Sequence, residues 1–173
     1  MVAYAFRPPF GVAGDISRHM FSTEPRAALP SNPPLAYGAA VMIDGPTGNV
    51  RQLVAGDNSA TDVYGIIARD MPTQMPSASG SYGQQPLGAT QPIPSPPQPL
   101  SVLRHGYIMV QVNGTPTIGA PVFVWAAATA APHVQGGFEA ATSAGNTINV
   151  GSTKTTYASG PDANGLCELA FNI

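Results

Sequence analysis

The chain has 173 residues, 43% of them hydrophobic and 9% charged, with a formal net charge of −2. An average soluble domain carries about 25% charged residues, and seven Lys plus Arg leave no basic footprint for a nucleic-acid backbone. A single cysteine, Cys167, rules out an intrachain disulfide, while 19 Gly and 19 Pro favour turn-dense β structure and extended arms over long helices or ordinary disorder.

Residues 1–35 read as an extended arm. Pro8, Pro9, Pro25, Pro30, Pro33 and Pro34 interrupt helices and remove backbone donors. Only "GDISRHMF" has the makings of a helical turn, with Asp15 or Ser17 as the N-cap. The opening "MVAYAFRPPFGVAGD" lacks the apolar stretch of a signal peptide. The longest apolar run, "VFVWAAATAA", is half the roughly 20 residues a membrane helix needs. The expectation is a soluble protein made in a reducing compartment, with no membrane partner.

Residues 36–173 read as a β domain. "YGAAVMID" alternates, with Ala39, Val41 and Ile43 on one face. "DGPTGN" is a turn signal, and "NVRQLVA" is the returning strand. "TDVYGIIAR" is apolar on both faces, which predicts a central strand. Residues 71–100 hold eight prolines among Ser, Gln and Gly. They read as a long extended insertion of polyproline II character, and the sharper alternative is a PxxP ligand. Strands resume at "YIMVQV", with Ile108, Val110 and Val112 on one face, and Asn113-Gly114 opens a turn. "PVFVWA" is apolar on both sides, and "GGFEA", "NTINV" and "TTYAS" are short strand candidates. The end, "GLCELAFNI", places Cys167, Leu169, Phe171 and Ile173 on one face. No segment carries a helical period over three turns. About eight short strands with frequent turns predict an all-β barrel or sandwich.

Chemistry at a site is not legible. His19, His105 and His133 are widely separated and have no metal-ligand spacing. Cys167 sits on an alternating apolar face, where a reactive thiolate is unfavourable. There is no nucleophile elbow, no phosphate-binding loop and no dinucleotide fingerprint. Asp44, Asp57 and Asp162 lie in turn sequences that call for Asp on backbone grounds. Trp125, between Val124 and Ala126, is expected in the core or at an interface. No cofactor and no enzymatic activity are expected.

The order of pieces carries a resemblance. "GVAGDISR", "STEP", "YGAAVMIDGPTGNVRQLVAGDNSATDVYGIIARDMPTQ", "LRHGYIMVQVNG", "GAPVFVW", "GGFEA" and "GPDANGLCELAFNI" follow one another in an arrangement that resembles the structural cement, or capsid decoration, proteins of tailed bacteriophages. The resemblance runs from Gly11 to Ile173, and none of its motifs is catalytic. It implies a small barrel or jelly-roll-like β domain that binds the outside of an icosahedral head. It also implies homotrimers at or near three-fold positions, bridging neighbouring major capsid protein subunits. The protein would be made in the bacterial cytoplasm and end in the virion. On this footing Asp15, Arg18, Glu24 and Pro25 are candidates for shell contact, with Arg18 and Glu24 as polar anchors. Tyr82, Pro92, Pro94, Pro96, Pro97 and Trp125 are candidates for contacts between protomers or with the shell. Deletion of residues 1–30 is expected to leave the β domain folded and to abolish shell binding.

Two other classes compete. A carbohydrate-binding or adhesin module of a phage fibre needs exposed aromatics beside polar groups. A small hydrolase needs a pocket with convergent carboxylates or histidine, a constellation absent from the sequence.

Overall fold

The computed structural model describes residues 13–19, 21–34, 36–57, 59–69, 99–151 and 154–172. These residues form ten strands and no α-helix: β1 (Ser22–Arg26), β2 (Ala40–Ile43), β3 (Val50–Gln52), β4 (Gly65–Ala68), β5 (Leu100–Asn113), β6 (Phe123–Trp125), β7 (Phe138–Glu139), β8 (Thr147–Asn149), β9 (Thr156–Tyr157) and β10 (Leu166–Phe171). The all-β expectation holds. The strand count is ten rather than about eight, and one strand is not short. β5 runs for 14 residues, about 46 Å at the usual rise per residue.

β5 is the spine because buried apolar residues recur along it from Leu100 to Val112, interrupted at the exposed His105. Antiparallel β1, β4 and β10 pair with it, and β7 joins it in parallel. The pairing path runs β3-β2-β4-β5-β7-β6-β8; β1 and β10 branch from β5, and β9 pairs with β10. This mixed sheet is not closed into a barrel. A single-residue bridge between Pro121 and Thr156 ties β9 to the chain entering β6. "DGPTGN" does join the hairpin of β2 and β3, fastened by Asp44, whose Oδ2 accepts from the Thr47 hydroxyl.

The core has two parts because the β2–β4–β5 region is apolar on both faces. Ala40, Ile66 and Leu103 look into the main cluster with Ile108, Val110, Val112, Cys167, Leu169 and Phe171. Val41, Ile67, Leu100 and Val102 look the other way, into a smaller cluster with Ala28 and Val50. β4 is central as expected, and all four of its residues are buried. Fully burying one such side chain contributes about 1.5–3 kcal/mol.

β5 could not serve this core with unbroken alternation. Leu103 and Ile108 share the main cluster, yet odd and even positions of a regular strand face opposite sides. The switch occurs where the pairing with β1 shifts register between Ser22 and Thr23, and where Gly106 adopts φ +138°. An extra residue at such a bulge turns the following side chains over, and glycine tolerates that backbone.

Residues 71–98 of the proline-rich insertion lie outside the described residues, and Leu100 already belongs to β5. Within residues 1–35, Ser22–Arg26 form β1 against β5. A deletion through residue 30 therefore strips β5 of a paired neighbour as well as removing whatever precedes it. The described residues of "GDISRHMF", 14–19 and 21, make no helical turn. Ile16 instead bridges to Ile108 in antiparallel fashion.

Candidate functional site

Residues 13–18 form a strap across the middle of β5. The Gly14 N–H donates to Met109 O at 2.8 Å, the Met109 N–H to Asp15 O at 2.9 Å, and the Ser17 N–H to Tyr107 O at 3.0 Å. On its other side the strap accepts from the Arg69 N–H through Gly14 O at 2.9 Å. The fit is close at Gly14. Its φ is +92°, and a Cβ there would meet Tyr37 Cβ at 2.8 Å and Gly38 N at 3.1 Å. "VAGDISR" thus places glycine where the chain turns against another backbone.

The strap is fastened to β10 through a buried carboxylate. Glu168 has a side chain only 3% exposed. The Ser17 hydroxyl donates to its Oε1 at 2.7 Å, and Arg18 donates from Nε to Oε1 at 3.1 Å and from Nη2 to Oε2 at 2.6 Å. Such charge-assisted, two-pronged contacts fix orientation as well as adding energy. The Arg18 guanidinium also lies 3.7 Å above the Tyr107 ring, within cation–π range. Hydrogen bonding to Glu168 raises the Arg18 pKa above its ordinary value, so the arginine stays charged.

The other described arginines are engaged in the same manner. Arg26 donates to Glu24 and to the Tyr64 hydroxyl. Tyr64 in turn donates to Glu24, and Arg104 covers the Tyr64 ring at 3.6 Å. The Tyr64 hydroxyl, then Arg26, hold the Glu24 carboxyl below its usual range. Arg51 makes a two-pronged pair with Asp57. Arg69 pairs with Asp15 at 3.7 Å and faces the Tyr37 ring. Among the described residues, these arginines hold the chain's own segments together.

Of the sequence candidates, Asp15 and Arg18 lie on the strap, while Glu24 and Pro25 lie on β1, with Pro25 exposed. Asp15, Arg18, His19, Arg69 and the half-exposed Phe21 surround an open concavity. Tyr82, Pro92, Pro94, Pro96 and Pro97 lie outside the described residues. Trp125 is buried, and its indole N–H donates to Ala128 O at 3.1 Å. Its ring stacks on His133 with centroids 4.0 Å apart. His133 Nδ1 lies 2.9 Å from Glu139 Oε1, and Asn113 Nδ2 donates to Glu139 Oε2 at 2.8 Å.

Sequence reasoning missed both buried acids. Glu168 was legible only as the one charged residue in an otherwise apolar strand. Glu139 gave no signal beyond its place in "GGFEA". Burial pushes the Cys167 thiol up to about 12, which removes it as a nucleophile. Among the described residues, no cluster of His, Cys, Asp or Glu could hold a metal ion. Among them, too, no helix is long and apolar enough to cross a membrane.

No curated protein matches the sequence. The fold is similar to that of a chain from the capsid of Myoviridae phage XM1, with TM-score 0.69 and 15% identity, covering 98% of this chain and 95% of that one. The model of one protein family, described as structural cement protein (E217 gp24/Pam3 gp6), matches residues 2–172. Nearly the whole chain is spanned, and the chain belongs to the phage structural cement protein family.

Proposed function

We propose that the protein sits on the outer surface of the phage head, as trimers at or near three-fold positions, and stabilises the shell by bridging neighbouring major capsid subunits. The family match over residues 2–172 carries this reading. Two physical features support it. Charges are few, and Arg18, Arg26, Arg51 and Arg69 are each paired with a carboxylate of the same chain, so the described surface offers shape and apolar contact more than electrostatic attraction. The strap also gives residues 1–12 a firm root at Ala13, which is buried against Gly38. A short arm rich in aromatics and proline, rooted in that manner, loses less entropy on docking than a free chain. Three arms on one trimer would add avidity.

Shell contact is assigned to residues 1–12 and to the exposed edge around Pro25. Contacts between protomers are assigned to the insertion around Tyr82 and Pro92 to Pro97. The test is deletion of residues 1–12, which leaves the strap and β1 in place. The truncated protein should melt as the full chain does and fail to sediment with expanded heads. Full binding by the truncated protein would refute the assignment of the arm.

A further inference from the structure

We infer that Arg18 is an inward-facing anchor, which locks the 13–18 strap onto β5 and β10 so that a pull on the N-terminal arm is passed into the centre of the β domain. The inference rests on the proposed shell contact of the arm, but its first test does not need a shell.

The geometry suits a clamp against pulling. The strap runs antiparallel to β5, and its bonds to Tyr107 and Met109 lie across the strand direction. Tension along the chain would load them side by side and not one after another. Hydrogen bonds alone would let residues 13–17 fray, because each adds little net stability in contact with water. Arg18 sits immediately after these bonds, on the side nearer to β1. It grips Glu168 on β10 through two nitrogens and rests on Tyr107 of β5. One side chain therefore ties the strap to two strands that are themselves paired, since Glu168 lies opposite Met109.

Release of the strap would strip the buried Glu168 of the Ser17 and Arg18 donors together. Uncovering or isolating a buried charge is strongly unfavourable, so the strap should open as a unit and seldom. Arg18 is in this view a positioning residue for the arm. It holds the root of the contact segment and does not itself reach the shell.

The test is amide hydrogen exchange of the full-length protein, wild type against Arg18→Ala, Arg18→Lys and Glu168→Gln. The Gly14, Ser17 and Met109 amides report strap opening. The Tyr64 and Trp125 amides, bonded to Val41 O and Gly137 O, report the rest of the fold. Arg18→Ala should speed exchange of the first group by about 10- to 100-fold, the range expected for a lost hydrogen bond to a charged group, and speed the second group less, by no more than the factor that the accompanying loss of global stability sets. Arg18→Lys should fall between, because it keeps the charge and loses the two-pronged grip. Glu168→Gln should resemble Arg18→Ala. Equal acceleration of both groups would reduce Arg18 to general support of the fold and overturn the inference, as would no change in either. A second reading uses heads. Arg18→Ala should bind empty expanded heads with wild-type affinity and leave them sooner under heating. Lost affinity with unaltered exchange would place Arg18 at the shell instead. Failure of every variant and of wild type to bind heads would instead refute the proposed function and leave the exchange result standing.

Discussion

Arg18 and Glu168 stand 150 residues apart in sequence and meet at 2.6 Å. The contact joins the start of the described chain to its last strand, over the middle of β5. Glu168 is buried and Arg18 is 40% exposed on its side chain, so water reaches one partner only. The pair is accordingly worth less than a fully buried one, and its two halves are not equivalent. Removing the arginine lets water approach Glu168 through the vacated surface, and Arg18→Ala should cost about 1–2 kcal/mol. A double-mutant cycle with Glu168→Gln, read by urea unfolding, should give a favourable coupling. Strict additivity would contradict the pairing.

Glu24 gives a pH signature. Its pKa is lowered in the folded state, chiefly by the Tyr64 hydroxyl and then by Arg26. A group with a depressed folded pKa contributes stability above its unfolded value, near pH 4.5, that disappears as pH falls through the folded one. Glu24→Gln should therefore flatten the loss of stability between pH 4.5 and lower values, and leave the curve near pH 7 parallel to wild type. An unaltered acid limb would show that the cluster of Glu24, Tyr64 and Arg26 does not form in solution.

Gly65 is required for space. A Cβ at this position would meet Leu103 O and Val102 Cγ1, each at 2.5 Å. The carbonyl belongs to the spine strand and cannot retreat without disturbing the β4–β5 pairing. Gly65→Ala should destabilise by about 1–3 kcal/mol, the range for overpacking a core. A neutral result in thermal melts would mean that β4 and β5 lie further apart than described.

Cys167 should be silent to thiol reagents. Burial, then the charge of Asp162, raises its pKa to about 12. At pH 8 a maleimide or disulfide reagent should label the protein only at the rate of unfolding, and label it promptly in denaturant. Rapid labelling of the native protein would contradict the packing of β10 against β5.

The stack of Trp125 on His133 can be read directly, because the chain has one tryptophan. His133→Ala removes the ring above the indole and a polar neighbour of the buried Glu139. Emission should shift and the protein should lose about 1–3 kcal/mol, the cost of depriving a buried polar group of a partner. Unchanged emission would place His133 away from the indole.

How far the sequence was legible follows from which interactions are local. Period-two alternation marked β2, β10 and the second half of β5, and two-sided apolarity marked β4 as central. The short strands β7, β8 and β9 were found because Gly and Asn bracket them. The clamp was not legible, because nothing local links "DISR" to "LCELAF". The strap was misread as a helical turn because Asp and Ser before an apolar residue are cap signals in isolation, whereas here the Ser17 hydroxyl reaches Glu168. The length of β5 was underestimated because "LRHGY" interrupts the alternation. The sequence reading started the strand at "YIMVQV", and the structure carries it back to Leu100 through a bulge near Arg104, His105 and Gly106.

The central claim is that this protein cements a phage shell from outside. The most direct measurement is a titration of purified protein onto expanded heads stripped of it, with bound copies counted and the saturated heads imaged by electron cryo-microscopy. The account predicts saturation at a multiple of three copies per three-fold position, with density on the outer surface spanning adjacent capsid subunits. Well-folded protein that does not bind, or that binds without saturating, would contradict it.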